Sequence, residues 1–512
     1  MNLPAGHIDL SAQLPLLAAR LARHHGYAHV VGIGPLSWAE AALTNPGLDL
    51  VEVALGGPRR ALRRSRWSHA RLAWDGAPVA ALPLPRDVLN SSVVVGSALD
   101  GRADDGGSLF DVLPRFLESA PLGIVASAEP PERLAAKLRA MGIEPTFVGR
   151  AHRTSAIEAA IAIIDRVVPA GASKAPASFR ILAVMTAYNE EDVIGPSIEA
   201  LVSGGIEVYL IDNWSTDRTN EIASGFLGRG VIGLERFPAA PTTTYEWGRL
   251  LARVERIVAT VPADWYIHHD ADERHAGPWP KRSLRDAIWT VQQSGFNGID
   301  HTVLNFHPID DGYVPGSDYE AYFRHFEFGT LPGDFRRVKA WRATGRQVSL
   351  AESSGHEVVF PGRRVFPYKF LLKHYPIRSQ AHGERKVLRE RRSRWDRAER
   401  AKGWHVQYDS VRPGHRFLRS ASELIEWVDG TTQVDYLVPI VSGIGVGPRS
   451  IPPWATRGPF QAAAYRVARS LADRTLARRV ARSLSLRAPL LARPARWAVR
   501  RLVGTDGMLE ER

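Results

Sequence analysis

The middle of the chain alternates short apolar runs with polar loops and amphipathic stretches. Three runs, ILAVMT (181–186), EVYLID (207–212) and WYIHHD (265–270), are rich in β-branched and aromatic residues, which predicts buried strands. A helix start follows the first run, and a Ser/Thr/Asp loop before Thr219 predicts a second helix after the next run. Successive strand and helix units of this kind predict a parallel α/β sheet.

Polar side chains follow each of these predicted strands. Asn189 follows the first strand, Asp212 and Asp217 follow the second, and Asp270 and Asp272 form a D-x-D sequence at the end of the third. Ligands of α/β sheets bind outside the carboxyl ends of the strands. All five side chains are therefore expected to face one crevice.

Residues 1–165 carry a separate set of strand and helix patterns. YAHVVGIG predicts a strand and a Gly-x-Gly turn at Gly32 and Gly34, and LDLVEVAL (48–55) predicts a strand that carries Glu52. We therefore expect a smaller Rossmann-like αβ domain of unknown ligand. The glycines also fit a plain tight turn between strand and helix, because a lone Gly-x-Gly is a poor predictor of nucleotide binding.

The remaining segments have simpler compositions. Residues 166–180 are rich in Ala, Pro and Ser and predict a linker, and residues 411–450 predict a helical and strand-like extension. In residues 451–512, apolar positions recur every four or five residues between arginines, which predicts a basic amphipathic helical tail. Such a tail fits an anionic membrane surface or docking on the protein itself. Nucleic acid is the least favoured partner, since aromatic residues are almost absent there.

Composition narrows the class of protein. The chain has 512 residues, 45% of them hydrophobic, and no cysteine, which excludes disulfides, thiolate metal sites and a cysteine nucleophile. The net charge is +12, but twelve arginines and one aspartate within 457–501 supply nearly all of it. The N-terminus lacks a signal-peptide pattern, and no stretch of about 18 uncharged apolar residues occurs. We therefore expect a cytoplasmic protein that could attach peripherally to the inner face of the plasma membrane.

The three polar motifs together resemble those of the family-2 glycosyltransferases. The matching sequences are Y-N-E at 188–190, D-N-x-S-x-D-x-T at 212–219 and D-x-D at 270–272, in the family's order. LLKHYPIRSQAHGERKV (371–387) and RAERAKGWHVQYD (397–409) resemble the C-terminal half of a bacterial subgroup. The resemblance implies a GT-A (Rossmann-like) nucleotide-sugar-binding domain over 181–410. Residues 1–165 resemble a degenerate S-adenosylmethionine methyltransferase domain that lacks the third glycine.

The resemblance also implies roles for individual residues. Asp270, Asp272 and His374 would hold a divalent cation, Mn2+ or Mg2+, and the mixed carboxylate and imidazole set fits Mn2+ better. Asp272 is also assigned a catalytic role. The alternatives are a core position for His374, a helix cap for Asp217 and a solvated basic face for the late cations. The residues expected to bind the nucleotide sugar are Ala187, Tyr188, Asn189, Glu190, Asp212, Asn213, Asp217, Asp270, Arg378, Gln380 and Lys386.

An inverting transfer needs a carboxylate that takes the proton of the acceptor hydroxyl. Glu357 is the first choice for this base, and Glu352 and Asp334 are the alternatives. A dinuclear hydrolase built on His268 and His269 is disfavoured, because adjacent side chains on a strand point to opposite faces.

The expected function is metal-dependent transfer of a sugar from a nucleotide-diphosphate sugar to a glycan or lipid-linked acceptor, in cell-surface polysaccharide synthesis. A non-catalytic nucleotide-sugar or carbohydrate-binding protein of the same fold is the alternative, although the intact D-x-D disfavours it. Methyl transfer by the N-terminal domain is a third hypothesis, and the sequence contains no methyl-transfer motif that would support it.

Overall fold

A computed structural model gives the fold of the chain. It describes separate elements between residues 14 and 118, and then residues 120–151, 159–169, 174–279, 282–329, 337–401, 404, 408–409 and 411–427. The predicted tail at 451–512 lies outside the described residues, as does the predicted extension beyond residue 427. The chain divides into two compact units between Asp165 and Arg166.

The N-terminal unit contains an eight-stranded sheet in the order β3-β4-β2-β1-β5-β6-β8-β7. The strands β4, β2, β1, β5 and β6 are parallel. Counted along the chain, these five have the order 3-2-1-4-5, which is that of doubly wound nucleotide-binding folds. This order agrees with the expected Rossmann-like architecture, whereas Gly34 lies outside the described residues. In chain order, β1 to β8 are His29–Ile33, Asp49–Leu55, Arg63–Arg64, His69–Trp74, Ser92–Ala98, Leu122–Ser127, Phe147–Ala151 and Ala159–Asp165, and helix α1 is Pro131–Ala140.

The second unit contains a six-stranded sheet in the order β11-β10-β9-β12-β17-β14 and a five-stranded sheet in the order β13-β18-β15-β16-β19. In chain order, β9 to β19 are Ile181–Ala187, Glu207–Asp212, Val231–Arg236, Trp265–Asp270, Glu273–Ala276, Gly298–Ile299, His301–Phe306, His325–Phe328, Ala340–Arg342, Phe370–His374 and Ile425–Glu426. Helices α2 to α8 are Ile194–Ser203, Thr219–Ser224, Trp247–Thr260, Leu284–Gln293, Tyr319–Tyr322, Gln380–Gly383 and Arg397–Ala401, with a π-helix at Glu384–Arg391 and 3-10 turns at Ala351–Ser353, Arg392–Arg394 and Ala421–Glu423. None of the helices in this described part of the chain is long and apolar enough to cross a membrane.

The first four strands of the six-stranded sheet fix the position of the site. β9, β10, β11 and β12 are parallel, and their order reverses between β9 and β12 because β10 and β11 extend the sheet on one side of β9 and β12 extends it on the other. In α/β sheets, ligands bind at such a reversal, outside the carboxyl ends of the strands. The predicted α/β fold class is confirmed. The D-x-D begins at Asp270, the last residue of β12, and so lies beside this reversal.

Helix α4 shows why this sheet is stable on one face. Its buried residues Leu250, Leu251, Val254, Ile257 and Val258 recur at helical spacing and form one apolar stripe. The stripe packs against residues of β9, β10 and β12 in a shared hydrophobic core. Helix α4 therefore covers one face of the strands that carry the motifs.

Residues 411–427 complete the five-stranded sheet beyond the predicted domain end at 410. β19 pairs with β16, so that Phe326 lies opposite Ile425. Trp427 is 8% exposed and packs with Phe306 and Phe326, and the Lys373 ammonium lies 4.2 Å from the centroid of its ring. The segment therefore forms part of the same hydrophobic core.

The predicted linker is attached to the second unit along residues 174–180. Arg285 Nη2 donates to the carbonyl oxygen of Phe179 at 2.8 Å and also binds the carbonyl oxygen of Pro176. The amide of Ala175 donates to Asp286 Oδ1 at 2.8 Å. These contacts fix the chain directly before β9.

Candidate active site

The carboxyl ends of β9, β10 and β12 bring the three motifs together. Ala187 pairs with Asp212 on one side, and Thr186 pairs with Asp270 on the other. Thr186 Oγ1 donates to Asp270 Oδ1 at 3.0 Å, which orients the first carboxylate of the D-x-D. Strand pairing therefore brings Asp212 and Asp270 to the same edge of the sheet.

Asp212 is fully buried and shapes the loop after β10. Its Oδ1 accepts from the Ser215 amide at 3.0 Å and from Ser215 Oγ at 2.5 Å. Its Oδ2 lies 3.3 Å from Arg236 Nε and has no hydrogen-bond partner among the described residues. One oxygen organises the loop, and the other faces the guanidinium of Arg236.

Asn189 joins the loops that follow β9 and β10. Its backbone is left-handed, with φ of 55°, a conformation that asparagine tolerates better than most residues. Its Oδ1 accepts from the Thr216 amide at 2.8 Å, and its Nδ2 donates to Glu390 Oε1 at 3.0 Å. Asn189 therefore also ties both loops to the π-helix.

Asp217 uses its carboxylate to hold backbone. Its Oδ1 accepts from the Thr219 amide at 2.9 Å, and its Oδ2 accepts from the Glu191 amide at 3.2 Å. Both oxygens thus bind the start of α3 and the loop after β9. These contacts favour the capping alternative for Asp217.

Arg394 covers the predicted nucleotide loops. The carbon of its guanidinium lies 4.0 Å from the centroid of the Tyr188 ring, and Nη2 donates to Asn213 Oδ1 at 3.3 Å. Cation–π and hydrogen-bond contacts thus place a positive charge beside two of the predicted nucleotide-binding residues.

Two buried cations hold three carboxylates together behind the crevice. Arg378 donates from Nε and Nη2 to Asp192 at 2.8 Å, and from Nη2 to Glu190 Oε2 at 2.5 Å. Lys386 Nζ donates to Glu190 Oε1 and to Asp272 Oδ2, each at 2.9 Å. Burial would raise the pKa of Asp272, but neighbouring positive charge, that of Lys386 foremost, holds it well below its ordinary value.

A second buried ion cluster lies beside β12. Lys339 is 1% exposed, and its Nζ donates to Asp270 Oδ2 at 2.8 Å and to both Glu273 oxygens at 2.7 and 2.6 Å. Burial would raise the pKa of Asp270, but the Lys339 charge outweighs it and keeps this pKa well below its ordinary value. Both acids of the D-x-D are therefore ionised, and a lysine holds each of them.

His374 directs one ring nitrogen at the D-x-D. Its Nε2 lies 3.8 Å from Asp272 Oδ1, and its Nδ1 donates to Asn305 Oδ1 at 2.9 Å. The side chain is 29% exposed, so it does not occupy a closed core position. A histidine that donates from one nitrogen and presents the other to a carboxylate has the arrangement of a metal ligand.

The donor atoms beside the D-x-D suit a divalent cation. The two ion clusters contain five carboxylates and three cations, and Arg391 adds positive charge near Glu190. Asp272 Oδ1 and His374 Nε2 offer oxygen and nitrogen donors of the kind that Mn2+ accepts. The residues therefore fit the ion that the resemblance implies.

A different group of ligand-type atoms comes from Glu190, Asp192 and His382, which lie within 4.8 Å of one another. The guanidinium of Arg378 already binds both of these carboxylates. His382 Nδ1 in turn accepts from the Arg378 amide at 3.3 Å. This group is an arginine-binding cluster, and it is a poorer cation site than the Asp272 and His374 pair.

Glu357 forms an isolated backbone bridge with Val338, the residue before Lys339. Its side chain is 16% exposed, and Oε2 lies 3.2 Å from Arg363 Nη2. Of the alternative bases, Glu352 is exposed and Asp334 lies outside the described residues.

Arg378 and Gln380, predicted to hold the diphosphate, bind protein groups. Arg378 is 1% exposed and is committed to its two carboxylates. Gln380 donates from Nε2 to the His415 carbonyl oxygen at 2.9 Å and accepts on Oε1 from the Phe417 amide at 2.8 Å. This geometry favours structural roles for both, whereas Lys386 directly contacts the D-x-D.

His268 and His269 lie on opposite faces of β12. His268 Nδ1 is 3.2 Å from the Gly355 carbonyl oxygen, whereas the His269 ring stacks on that of His275 with centroids 5.0 Å apart. Burial lowers the pKa of His268 to about 4, so this ring is neutral at pH 7. The two histidines therefore do not converge on one ion.

Several residues of the site were not singled out from the sequence, among them Glu273. Asp192 lies two positions beyond the quoted Y-N-E, and its acidity was a signal that could have found it. Lys339 and Asn305 are each 69 residues from the partners that they contact, and no local pattern marks them. Arg394 lies within an arginine-rich stretch whose members look alike in the sequence.

Comparison with known proteins agrees with the motifs. Residues 182–237 match the sequence model of the family described as glycosyl transferase family 2. No curated protein matches the chain.

Several solved structures are similar to parts of the chain. S. aureus TarS in complex with UDP is 17% identical over 32% of this chain and 47% of its own, with a TM-score of 0.20. Glucosyl-3-phosphoglycerate synthase from Mycobacterium tuberculosis, with Mn2+ and UDP-glucose, is 23% identical over 25% of this chain and 44% of its own, with a TM-score of 0.18. Sp1610 from Streptococcus pneumoniae, with S-adenosyl-L-methionine, is 13% identical over 31% of this chain and 75% of its own, with a TM-score of 0.21.

The three TarS structures are matched over 28 to 60% of their own length. TM-scores near 0.2 do not establish a shared function. The family model and the motif positions in the α/β sheet carry the assignment. Residues 182–237 therefore belong to a family-2 glycosyltransferase domain, and their strands pair in a parallel α/β sheet.

Proposed function

We propose that this domain transfers a sugar from a nucleoside-diphosphate sugar to an acceptor hydroxyl, with a divalent cation held by Asp272 and His374. The observation that carries the proposal is this pair of donor atoms, 3.8 Å apart, beside the carboxyl end of β12. A divalent cation bound there would act as a Lewis acid that neutralises the departing diphosphate. Asp270, whose carboxylate also binds Lys339, would be the third ligand of this cation.

The nucleoside would bind along the loops that follow β9 and β10. Asp212 Oδ2, which has Arg236 as its ionic neighbour but no hydrogen-bond partner among the described residues, can accept from the base or the ribose. The wall of this region would consist of Tyr188, Asn189 and Asn213. Arg394, which contacts Tyr188 and Asn213, would bind the phosphates of the nucleotide. Arginine suits this role because its planar group binds phosphate oxygens in pairs.

An inverting displacement is the reaction that we favour. The acceptor oxygen attacks the anomeric carbon from one face as its proton passes to Glu357. The bond between that carbon and the phosphate oxygen breaks on the opposite face, and the nucleoside diphosphate leaves with the electron pair. A single displacement of this kind inverts the anomeric configuration.

For the acceptor we propose a surface glycan or its lipid-linked precursor. The support is the arginine-rich sequence of 451–512, which fits an anionic membrane surface and would bring the domain to such acceptors. The exposed loop around Ile309 and Val314, next to the five-stranded sheet, offers apolar surface for them.

Calorimetric titration of the purified chain with UDP, GDP, dTDP and CMP, with and without Mn2+, tests the proposal. We expect one nucleoside diphosphate to bind, and only when the ion is present. Binding of a nucleotide sugar without its consumption in the presence of acceptor glycans would instead support a non-catalytic binding protein. If no nucleotide binds under either condition, the proposal fails.

Glu357→Gln is expected to lower donor turnover by about 100-fold, because a positioned general base contributes at least this factor. Nucleotide affinity should stay unchanged, since the carboxylate acts on the acceptor. Release of nucleoside diphosphate at saturating donor measures the first quantity, and calorimetry measures the second. Glu352→Gln, a matched change at an exposed neighbour, should retain wild-type turnover. A loss in Glu352→Gln instead would move the base to that residue.

A further inference from the structure

Asn305 contacts the proposed metal ligand His374 from the neighbouring strand. β15 and β18 are parallel and place Asn305 directly opposite His374. Asn305 Oδ1 accepts from His374 Nδ1 at 2.9 Å. On its other side, β18 pairs His374 with Glu273, so His374 lies between the D-x-D and Asn305.

The backbones that carry both side chains are fixed. Leu304 and Phe306, on either side of Asn305, are 0% and 1% exposed. The Phe306 ring stacks on that of Tyr375, the residue after His374, with centroids 4.8 Å apart. The distance between Asn305 and His374 is therefore set by strand pairing and by core packing rather than by mobile surface groups.

The contact selects one form of the histidine ring. A carbonyl oxygen can only accept a hydrogen bond, so the hydrogen of the neutral imidazole must lie on Nδ1. Nε2 then carries a lone pair, and this is the nitrogen that faces Asp272 Oδ1. Without Asn305 Oδ1, the hydrogen could equally lie on Nε2, where it would block a cation.

We infer that Asn305 is a positioning residue that holds His374 in the form with hydrogen on Nδ1 and thereby prepares Nε2 to bind a divalent cation. This inference rests on the proposed function, because it concerns the same cation. Asn305 itself does not touch the ion or the donor. Residues of this kind around metal-binding histidines change metal affinity by about 10- to 100-fold when they are replaced.

Two substitutions at the same position separate positioning from packing. Asn305→Leu keeps the approximate size but removes the acceptor, and we expect Mn2+ to bind about 10- to 100-fold more weakly. Asn305→Asp keeps an acceptor, so it should bind Mn2+ at least as tightly as the wild type. Thr302→Val is the matched control. It removes a buried hydroxyl from the same strand that has no hydrogen-bond partner among the described residues, and it should leave Mn2+ affinity unchanged.

Two measurements test the inference. Electron paramagnetic resonance titration gives Mn2+ affinity without any substrate, and NMR of the metal-free full chain with 15N-labelled histidine reports which His374 nitrogen carries hydrogen. We expect Nδ1–H in the wild type and in Asn305→Asp, and a mixture in Asn305→Leu. At saturating Mn2+, the turnover of Asn305→Leu should approach that of the wild type.

The possible failures are distinguishable. Hydrogen on Nε2 in the metal-free wild type, or wild-type Mn2+ affinity in Asn305→Leu, overturns the role of Asn305 and leaves metal-dependent transfer intact. Failure of the wild type itself to bind Mn2+ overturns the proposed metal dependence, and the role of Asn305 with it.

Discussion

Asp272→Asn is expected to lower donor turnover by about 1000-fold and to abolish Mn2+-dependent nucleotide binding. The substitution removes the carboxylate that faces His374 Nε2, and with it the strongest ligand of the proposed cation. The charge stabilisation that a metal ion gives to a departing phosphate amounts to several kcal/mol, and about 4 kcal/mol corresponds to three orders of magnitude in rate. Nucleoside diphosphate release and calorimetry with Mn2+ measure the two effects.

Asp264→Asn provides the matched control for this prediction. Asp264 lies just before β12, at the opposite end of the strand from the D-x-D, and is exposed. The same chemical change there should leave turnover and Mn2+ binding unaffected. Full turnover by Asp272→Asn, or undiminished wild-type turnover in excess chelator, would show that the reaction does not use the cation.

Arg378→Met is expected to reduce the free energy of unfolding of the glycosyltransferase domain by about 3–5 kcal/mol. Methionine fills much of the same space but leaves Asp192 without its two 2.8 Å hydrogen bonds and Glu190 without one of its two cations. An ionised carboxylate that stays buried without its partner carries the full penalty of lost hydration. Urea unfolding followed by tryptophan fluorescence measures the change as a lower midpoint.

The pH dependence of stability provides a second readout of Arg378. Burial would raise the pKa of Asp192, but Arg378 lowers it below its ordinary value. A carboxylate with a lowered folded pKa contributes stability above the unfolded pKa of about 3.9 and loses it as the pH falls through the folded value. In Arg378→Met the contributions of Arg378 are lost, whereas Lys386 and a backbone hydrogen bond still lower the pKa of Asp192, so the folded pKa rises relative to that of the wild type. The variant should therefore lose less stability than the wild type as the pH falls through about 3.9.

Two controls isolate the buried charge from the lost arginine. Arg218→Met removes an arginine that is 67% exposed and paired with Glu221, and it should leave the unfolding midpoint nearly unchanged. Arg378→Met combined with Asp192→Leu removes the unpaired carboxylate as well, and it should recover part of the stability lost in Arg378→Met. If the double variant is no more stable than Arg378→Met, lost packing rather than buried charge explains the effect.

Local patterns were sufficient to predict the strands and the loops that bear the carboxylates. The runs at 181–186, 207–212 and 265–270 are apolar enough to be buried strands, and parallel pairing brings their ends together without further information. That is why Asp212, Asp270 and Asp272 could be placed in one crevice from the sequence. The family-model match, over residues 182–237, covers the first two of these segments.

The partners of those carboxylates could not be predicted in the same way. Lys339 and Lys386 reach Asp270 and Asp272 from 69 and 114 residues away along the chain, and only the packed sheets decide which lysine meets which acid. Arg378 illustrates the opposite error, since its charge suggested a phosphate ligand whereas burial commits it to Asp192 and Glu190. The sequence shows that Arg378 is positively charged, but only its buried position shows which groups this charge binds.

The pairing of β19 with β16 has a consequence for biosynthesis. β16 ends at Phe328, whereas β19, which pairs with its edge, ends at Glu426. At roughly 5–20 residues per second, translation of the roughly 100 residues between them takes roughly 5–20 seconds. During that interval the edge of β16 and the ring of Phe326 are synthesised but uncovered, and an unpaired strand edge of this kind favours aggregation.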